Sequence, residues 1–349
     1  MNIFLDDNLC KKTLTPLSLT RHVSEIRIGI SSIREKWELL VHNKGYHIII
    51  STENCKDYIS IPANIIPTNE NYTHLIELSS FNKEINESSA IKIIKYPWHI
   101  FQYNDWALRK DFEYLTQNRI SAPISSSNNI INTKDIFVEE GAQIEYSSLN
   151  ASSGPIYIGK NTQIMEGSLI RGPFSLGENS VVKMGTKIYG ATTIGQNCVV
   201  GGEIKNSILL DNSNKAHDGY LGDSVIGAWC NLGAGTSNSN VKNNGSEVKY
   251  QIDTFAEPIS AGNKAGLIMG DFSRSAINTS FNTGSIVGVC CNIFEPGFPP
   301  KYSSNFSWGK KRYELDKAIS DIDNWKKMKN NSITTAEIEI LTSLYSKEK

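Results

Sequence analysis

The chain has 349 residues, a net charge of −1 and 20% charged residues, a balance that argues against a nucleic-acid or other polyanion partner. Hydrophobic content of 39% excludes a disordered chain and provides for more than one core. The start MNIFLDDNLC has no basic region followed by an apolar run, and nowhere do 18 apolar residues follow one another, so neither a signal peptide nor a membrane span is expected and the chain reads as cytoplasmic. Cys10, Cys55, Cys198, Cys230, Cys290 and Cys291 form no CxxC pair and read as reduced thiols, not as a disulfide frame or metal site.

Residues 1–120 read as a small α/β domain. Asn2-Ile3-Phe4-Leu5 is an apolar strand ending in Asp6-Asp7. From Ser24 to Val41, Ile26, Ile30, Ile33, Trp37 and Leu40 recur at three- and four-residue steps, which predicts an amphipathic helix with Ser24 as N-cap. His47 to Ile50 and Ile91 to Ile94 read as strands, with shorter ones at Ile65-Ile66 and Leu75-Ile76. Tyr103 to Gln117 is a helix that leaves the domain. Residues 121–136, with Ser125-Ser126-Ser127-Asn128-Asn129, read as a linker.

Residues 137–300 change character. Ile158, Ile164, Ile170, Leu176, Val182, Ile188, Ile194 and Val200 put an aliphatic residue at every sixth position. A six-residue step turns a helical side chain through about 240°, so no helix face results. The period predicts a parallel, left-handed β-helix of hexapeptides in which like slots stack coil upon coil. The phase is lost through 206–218, expected as a loop projecting from the prism. It returns at Tyr220, Ile226 and Leu232, and again at Met269, Ser275, Phe281, Val287 and Ile293, after an irregular stretch at 238–263. Residues 301–349 read as a helical cap, with Tyr313 to Met328 amphipathic and Thr334 to Glu337 a capping box. Such helices would cover strand edges at the end of the solenoid.

The residues with most chemistry lie where the phase fails. His217 suits a general base near neutral pH. Tyr220 and Asn231 bring a hydroxyl and an amide for orienting a polar substrate, and Lys205 and Lys215 could hold a phosphate as point charges. The same residues also read as a solvent-facing histidine and an asparagine ladder in turns.

Glu203-Ile204-Lys205-Asn206-Ser207, Asn214-Lys215-Ala216-His217, Tyr220 to Gly227, Asn231 to Thr236 and Gly266 to Asp271 resemble the left-handed β-helix domain of bifunctional sugar-1-phosphate nucleotidyltransferase/acetyltransferases. The resemblance implies that His217 is the base taking a proton from a sugar amine attacking acetyl-CoA. It also implies that Lys205 binds the sugar phosphate, that Tyr220 and Asn231 contact substrate and that the Ala234 backbone meets the acyl-CoA. A homotrimer with this site between subunits is implied too. The family's later loop lysine matches either Lys242 or Lys249. The front of the chain, in Phe4 to Asp7, Leu17 to Arg21, Glu25 to Ile30 and Pro97 to Phe101, resembles a sugar nucleotidyltransferase-like domain reduced in size. That implies Arg21 on a nucleotide phosphate and Asn104 on Mg²⁺, although Pro16-Leu17-Ser18-Leu19 lacks the family's glycines. A solvated face is the other reading of Arg21, His22, Arg27 and Lys36. The expected function is acetylation of an amino-sugar 1-phosphate, nucleotidyl transfer to a sugar 1-phosphate, or both. The alternative is a non-catalytic trimeric scaffold or sugar-nucleotide-binding protein.

Overall fold

The computed structural model describes residues 1–53, 57–252 and 257–348, so Cys55 and residues 253–256 of the irregular stretch lie outside the described residues. The other five cysteines are free and buried.

In the front domain β1 (Asn2–Asp6) lies between β2 (His47–Ile49) and β3 (Tyr58–Pro62), all parallel. The strand at 58–62 escaped the sequence pattern, because its alternating residues carry too few apolar side chains. Helices α1 (Ile33–Val41) and α2 (Tyr72–Ser80) pack against the sheet, and α3 (His99–Thr116) packs against residues 27–28 and 192–194. The expected helix from Ser24 begins only at Ile33, with Ser32 and Glu35 forming its capping box. Before it, Arg27–Ile28 and Ser31–Ser32 make a hairpin turned at Gly29, whose φ is +71°. Leu75 and Ile76, expected in a strand, are buried positions of α2. Ile65–Ile66 and Lys92–Ile93 pair with each other, antiparallel, and not with the parallel sheet.

Behind this domain the chain winds through three parallel faces. Each coil visits the first face (as at Ile156–Ile158), the second (Gln163–Ile164) and the third (Leu169–Arg171). Strands of two or three residues have no stability alone; their hydrogen bonds run to the next coil. The stacking follows the predicted period: Ile164 pairs with Val182 and Val182 with Val200, while Ile170 pairs with Ile188. The prism interior is one apolar cluster. Asn129–Ile131, expected in the linker, is already a strand of the third face. In the returning phase Leu221, not Tyr220, points inward. The last series, Met269, Ser275, Phe281, Val287 and Ile293, is buried as expected.

The outer side of the first face carries Thr193, Ile208, Val225, Ile268 and Ile286. The last four share a core with Trp98, Phe101 and Tyr250. Tyr250 belongs to a hairpin (Lys249–Tyr250 with Ile259–Ser260) within the irregular stretch, and its ring stacks on Trp98 at 5.1 Å. That excursion thus fastens the front domain to the solenoid.

The corner between first and second faces repeats a left-handed residue. After Gly141, Asn161, Asn179, Asn197 and Asn212 hold it, with φ of +53° to +65°, a region asparagine tolerates. Trp229, Phe272, Cys290 and Phe306 follow, with φ of +56° to +61°. On this second group pack Tyr313, Ala318 and Ile322, with Leu341. The last three lie on α4 (Leu315–Lys327) and α5 (Thr335–Lys347). The helices therefore lie along a flank of the last coils. The capping box of Thr334 and Glu337 forms as expected.

Candidate functional site

His217 does not lie on a projecting loop. Residues 206–218 continue the coil, with strands at Ile208–Leu209 and Asn214–Lys215. The pattern is hidden because this coil is shorter: Val200 pairs with Lys215, 15 residues on, where Val182 to Val200 is 18. A lysine also occupies the inward slot.

The corner between second and third faces forms a ridge, one residue per coil, two places past the inward slot. It reads Tyr146, Glu166, Met184, Gly202, His217, Ala234 and Ile277. His217 is exposed, and among the described residues its imidazole has no hydrogen-bond partner. Its neighbours along the ridge are bare or small. A Cβ on Gly202, whose φ is +74°, would meet the carbonyl oxygens of His217 and Gly219 at 2.8 Å, so only glycine lets the two coils approach this closely. The backbone around His217 is clamped from three sides: Lys215 Nζ donates to His217 O at 2.7 Å, Gly235 N to Asp218 O at 2.9 Å and Glu203 N to Gly219 O at 3.1 Å. An exposed imidazole on an immobilised turn, with open ridge on both sides, suits contact with a ligand.

Beside the ridge, on the third face, Glu203 pairs with Tyr220 and Lys205 with Gly222. The Tyr220 ring lies over Gly222, where a Cβ would stand 2.2 Å from its hydroxyl. Tyr220 and Lys205 are therefore neighbours. Burial, then the charge of Asp223, pushes the Tyr220 hydroxyl well up, so it stays a neutral donor and acceptor. Asn240 Nδ2 donates to it at 3.1 Å. Asn231 is on the other side of the ridge, on the second face, paired with Asn214 and Arg274. Ala234 is on the ridge itself, and its carbonyl accepts from Asn278 N at 2.7 Å. The structure thus places His217 and Ala234 on one edge, with Lys205 and Tyr220 on one flank and Asn231 on the other. Lys249 is exposed in its hairpin, and Lys242 is half-buried near Lys301, whose ammonium burial and then Lys242 push down.

The front candidates are engaged elsewhere. Arg21 Nη2 is ion-paired to Asp271 of the solenoid, and Thr20 Oγ1 donates to the same carboxylate oxygen at 2.6 Å. Asn104 is fully buried. Its Oδ1 accepts from Gly29 N at 2.7 Å and from Thr193 Oγ1 at 3.2 Å, and its Nδ2 donates to Ala191 O at 2.9 Å. As placed, Asn104 offers no open oxygen to Mg²⁺, and among the described residues no group of three or more His, Cys, Asp or Glu side chains is arranged to hold a metal. Arg27 pairs with Asp211, and Lys36 is paired with Asp111 in full burial. Arg21, Arg27 and Asn104 thereby join the front domain to the first face and its corner, and Lys36 ties α1 to α3 within the front domain, roles that spacing alone could not disclose. At the carboxyl ends of β1 and β3 a cleft of about 710 Å³ opens, lined by Asp6, Thr13, Asn64, Lys83, Lys95 and Tyr96 among others.

Residues 2–53 and 55–120 match the family model described as sugar nucleotidyl transferase. The chain is similar to the bifunctional protein GlmU of Methanococcus maripaludis, 28% identical over 252 residues, 66% of this chain and 52% of that protein. It is similar to the bifunctional sugar-1-phosphate nucleotidylyltransferase/acetyltransferase of Sulfurisphaera tokodaii, 30% identical over 234 residues, 64% of this chain and 51% of that protein. A shorter match, 37% over 91 residues, covers 26% of this chain and 22% of the bifunctional protein GlmU of Methanocaldococcus jannaschii. The chain spans about half the length of the relatives it matches over the longer stretches. No helix among the described residues is long and apolar enough to cross a membrane.

Proposed function

We propose that this relative of the bifunctional sugar-1-phosphate nucleotidylyltransferase/acetyltransferases, with a sugar nucleotidyl transferase front and a parallel β-solenoid behind it, is a cytoplasmic transferase of sugar-nucleotide biosynthesis. At the His217 ridge it N-acylates an amino-sugar 1-phosphate from acetyl-CoA. The observation that carries the reading is an exposed His217 on a clamped turn, with Lys205 and Tyr220 on the adjoining face.

In the reaction the sugar amine attacks the thioester carbonyl, a C–N bond forms, and the amine proton passes to the free imidazole nitrogen of His217. The tetrahedral intermediate collapses with loss of the CoA thiolate, which takes the proton from His217, leaving an amide and CoA thiol. Lys205 attracts the sugar phosphate, Tyr220 and Asn231 orient hydroxyls, and the small side chain of Ala234 leaves its backbone open to the acyl-CoA arm. One protomer supplies only an open edge. Tyr146, Met184 and Ile277 on the ridge and Leu169 on the third face are 70%, 68%, 69% and 52% exposed, which favours a second subunit as the opposite wall and a homotrimer as the assembly.

His217→Ala is expected to lower acyl transfer to glucosamine 1-phosphate by ~10²–10⁴-fold, measured as CoA thiol release, with the assembly unchanged by sedimentation. Full activity in that variant would remove the reading.

For the front half, the engagement of Arg21 and Asn104 in the domain contact favours nucleotide binding without turnover, in the cleft at Lys83 and Lys95. A nucleotide-dependent rise in Tm with no pyrophosphate release from any NTP and sugar 1-phosphate pair is expected. Pyrophosphate release would instead establish nucleotidyl transfer.

A further inference from the structure

The inward column of the second face reads Ile144, Ile164, Val182, Val200, Lys215, Leu232, Ser275 and Ile293. Lys215 is 2% exposed, between Val200 and Leu232. Among the described residues it has no ion pair. Its Nζ donates to Gly201 O at 3.2 Å and to His217 O at 2.7 Å. Neither carbonyl accepts a backbone N–H among the described residues. An aliphatic side chain would suit this slot better, because a buried cation without a carboxylate partner costs free energy that a methylene chain does not. Local choices that oppose the fold in this way collect at functional positions. Here the cost falls directly beneath the turn carrying His217.

We infer that Lys215 is a positioning residue for acyl transfer: from inside the prism its ammonium holds the His217 carbonyl and so fixes the direction in which the imidazole leaves the ridge. The inference rests on the reading of His217 as the base. The other polar slot in the column supports it. Ser275 Oγ accepts from Gly233 N at 3.2 Å and bonds Thr236 Oγ1 at 2.9 Å, fastening the next turn of the ridge, around Ala234. Lys215 thus fastens the turn of its own coil and Ser275 the turn of the coil before it, the two turns to which the reaction is assigned.

Lys215→Met keeps the volume and removes the donor. Lys215→Gln returns an N–H to the same place. Lys215→Met is expected to keep or raise Tm and to lower kcat for acyl transfer by ~10- to 100-fold with KM for acetyl-CoA little changed, because a misaimed base affects the chemical step more than binding. Amide exchange at Glu203 and Gly235, whose N–H groups close on Gly219 O and Asp218 O, should quicken, and Lys215→Gln should recover part of both effects. Parent-like kcat and exchange in Lys215→Met would overturn the inference. So would a fall in Tm with activity lost only in step with the folded fraction, which marks a mere space filler. Should Lys215→Met fail to fold, Lys215→Gln against the parent decides by the same kcat and exchange measurements. If the parent itself transfers no acyl group, the acyl-transfer reading fails, and exchange alone decides whether Lys215 holds the turn.

Discussion

Burial pushes the Lys215 ammonium down from 10.5 to about 8, with Asp218 opposing the shift. Between these values the unfolded chain holds a proton that the folded chain has released, so this group makes stability rise with pH across the window. Below it the lysine is charged in both states and its burial cost is fully present. Lys215→Met should therefore raise Tm over the parent most at pH 7, and the difference should shrink as pH climbs towards 10.5. Paired thermal melts over that range measure it, and a constant difference would contradict a buried cation. Other residues show how much the sequence discloses at this scale. His217, Lys205 and Tyr220 draw notice in the sequence because their chemistry stands out against an aliphatic period. The commitments of Arg21 to Asp271 and of Asn104 to Thr193 are not legible, because the partners lie 250 and 89 residues away and a guanidinium suits phosphate, and an amide oxygen a metal, just as well.

Among elements, the solenoid strands were the easiest to read, since each repeats the same inward residue and its neighbour supplies the missing hydrogen bonds. The short coil at Val200 to Lys215 was the exception, and it misled the reading of the His217 turn as a projecting loop. The segment before α1 shows tertiary contacts overriding helical spacing. Ile26, Ile30 and Ile33 fall at helical steps, yet the N–H groups of Gly29 and Ile30 are claimed by Asn104 Oδ1 and Asp111 Oδ2, both at 2.7 Å, and the chain turns there. A Cβ at Gly29 would stand 2.3 Å from that Asp111 oxygen, so the turn needs glycine for space as well as for φ. In the front sheet, pairing order depends on crossovers that periodicity does not encode, and β3 went unseen.

For the whole molecule, the three faces have different surroundings. The front domain covers the first, and α4 lies against the second, where Lys329 beyond its end donates to Asn197 O, Asn212 O and Asn214 Oδ1 at 2.6–3.0 Å. The third face and its ridge carry Leu169 and Met184 in the open. Two charges introduced there, Leu169→Asp with Met184→Asp, should convert the proposed trimer to monomer in sedimentation and abolish acyl transfer while Tm of the protomer changes little. A persistent trimer would place the interface elsewhere. The first-to-second corner has a consequence for reading chains of this architecture. Asparagine takes the left-handed bend while that corner faces water, and it gives way to Trp229, Phe272 and Phe306 where α4 and α5 arrive. At this corner the large rings take the bend only beside those helices. The place along a solenoid where amides yield to aromatics at that bend therefore marks the beginning of a further layer, a landmark recognisable from letters alone.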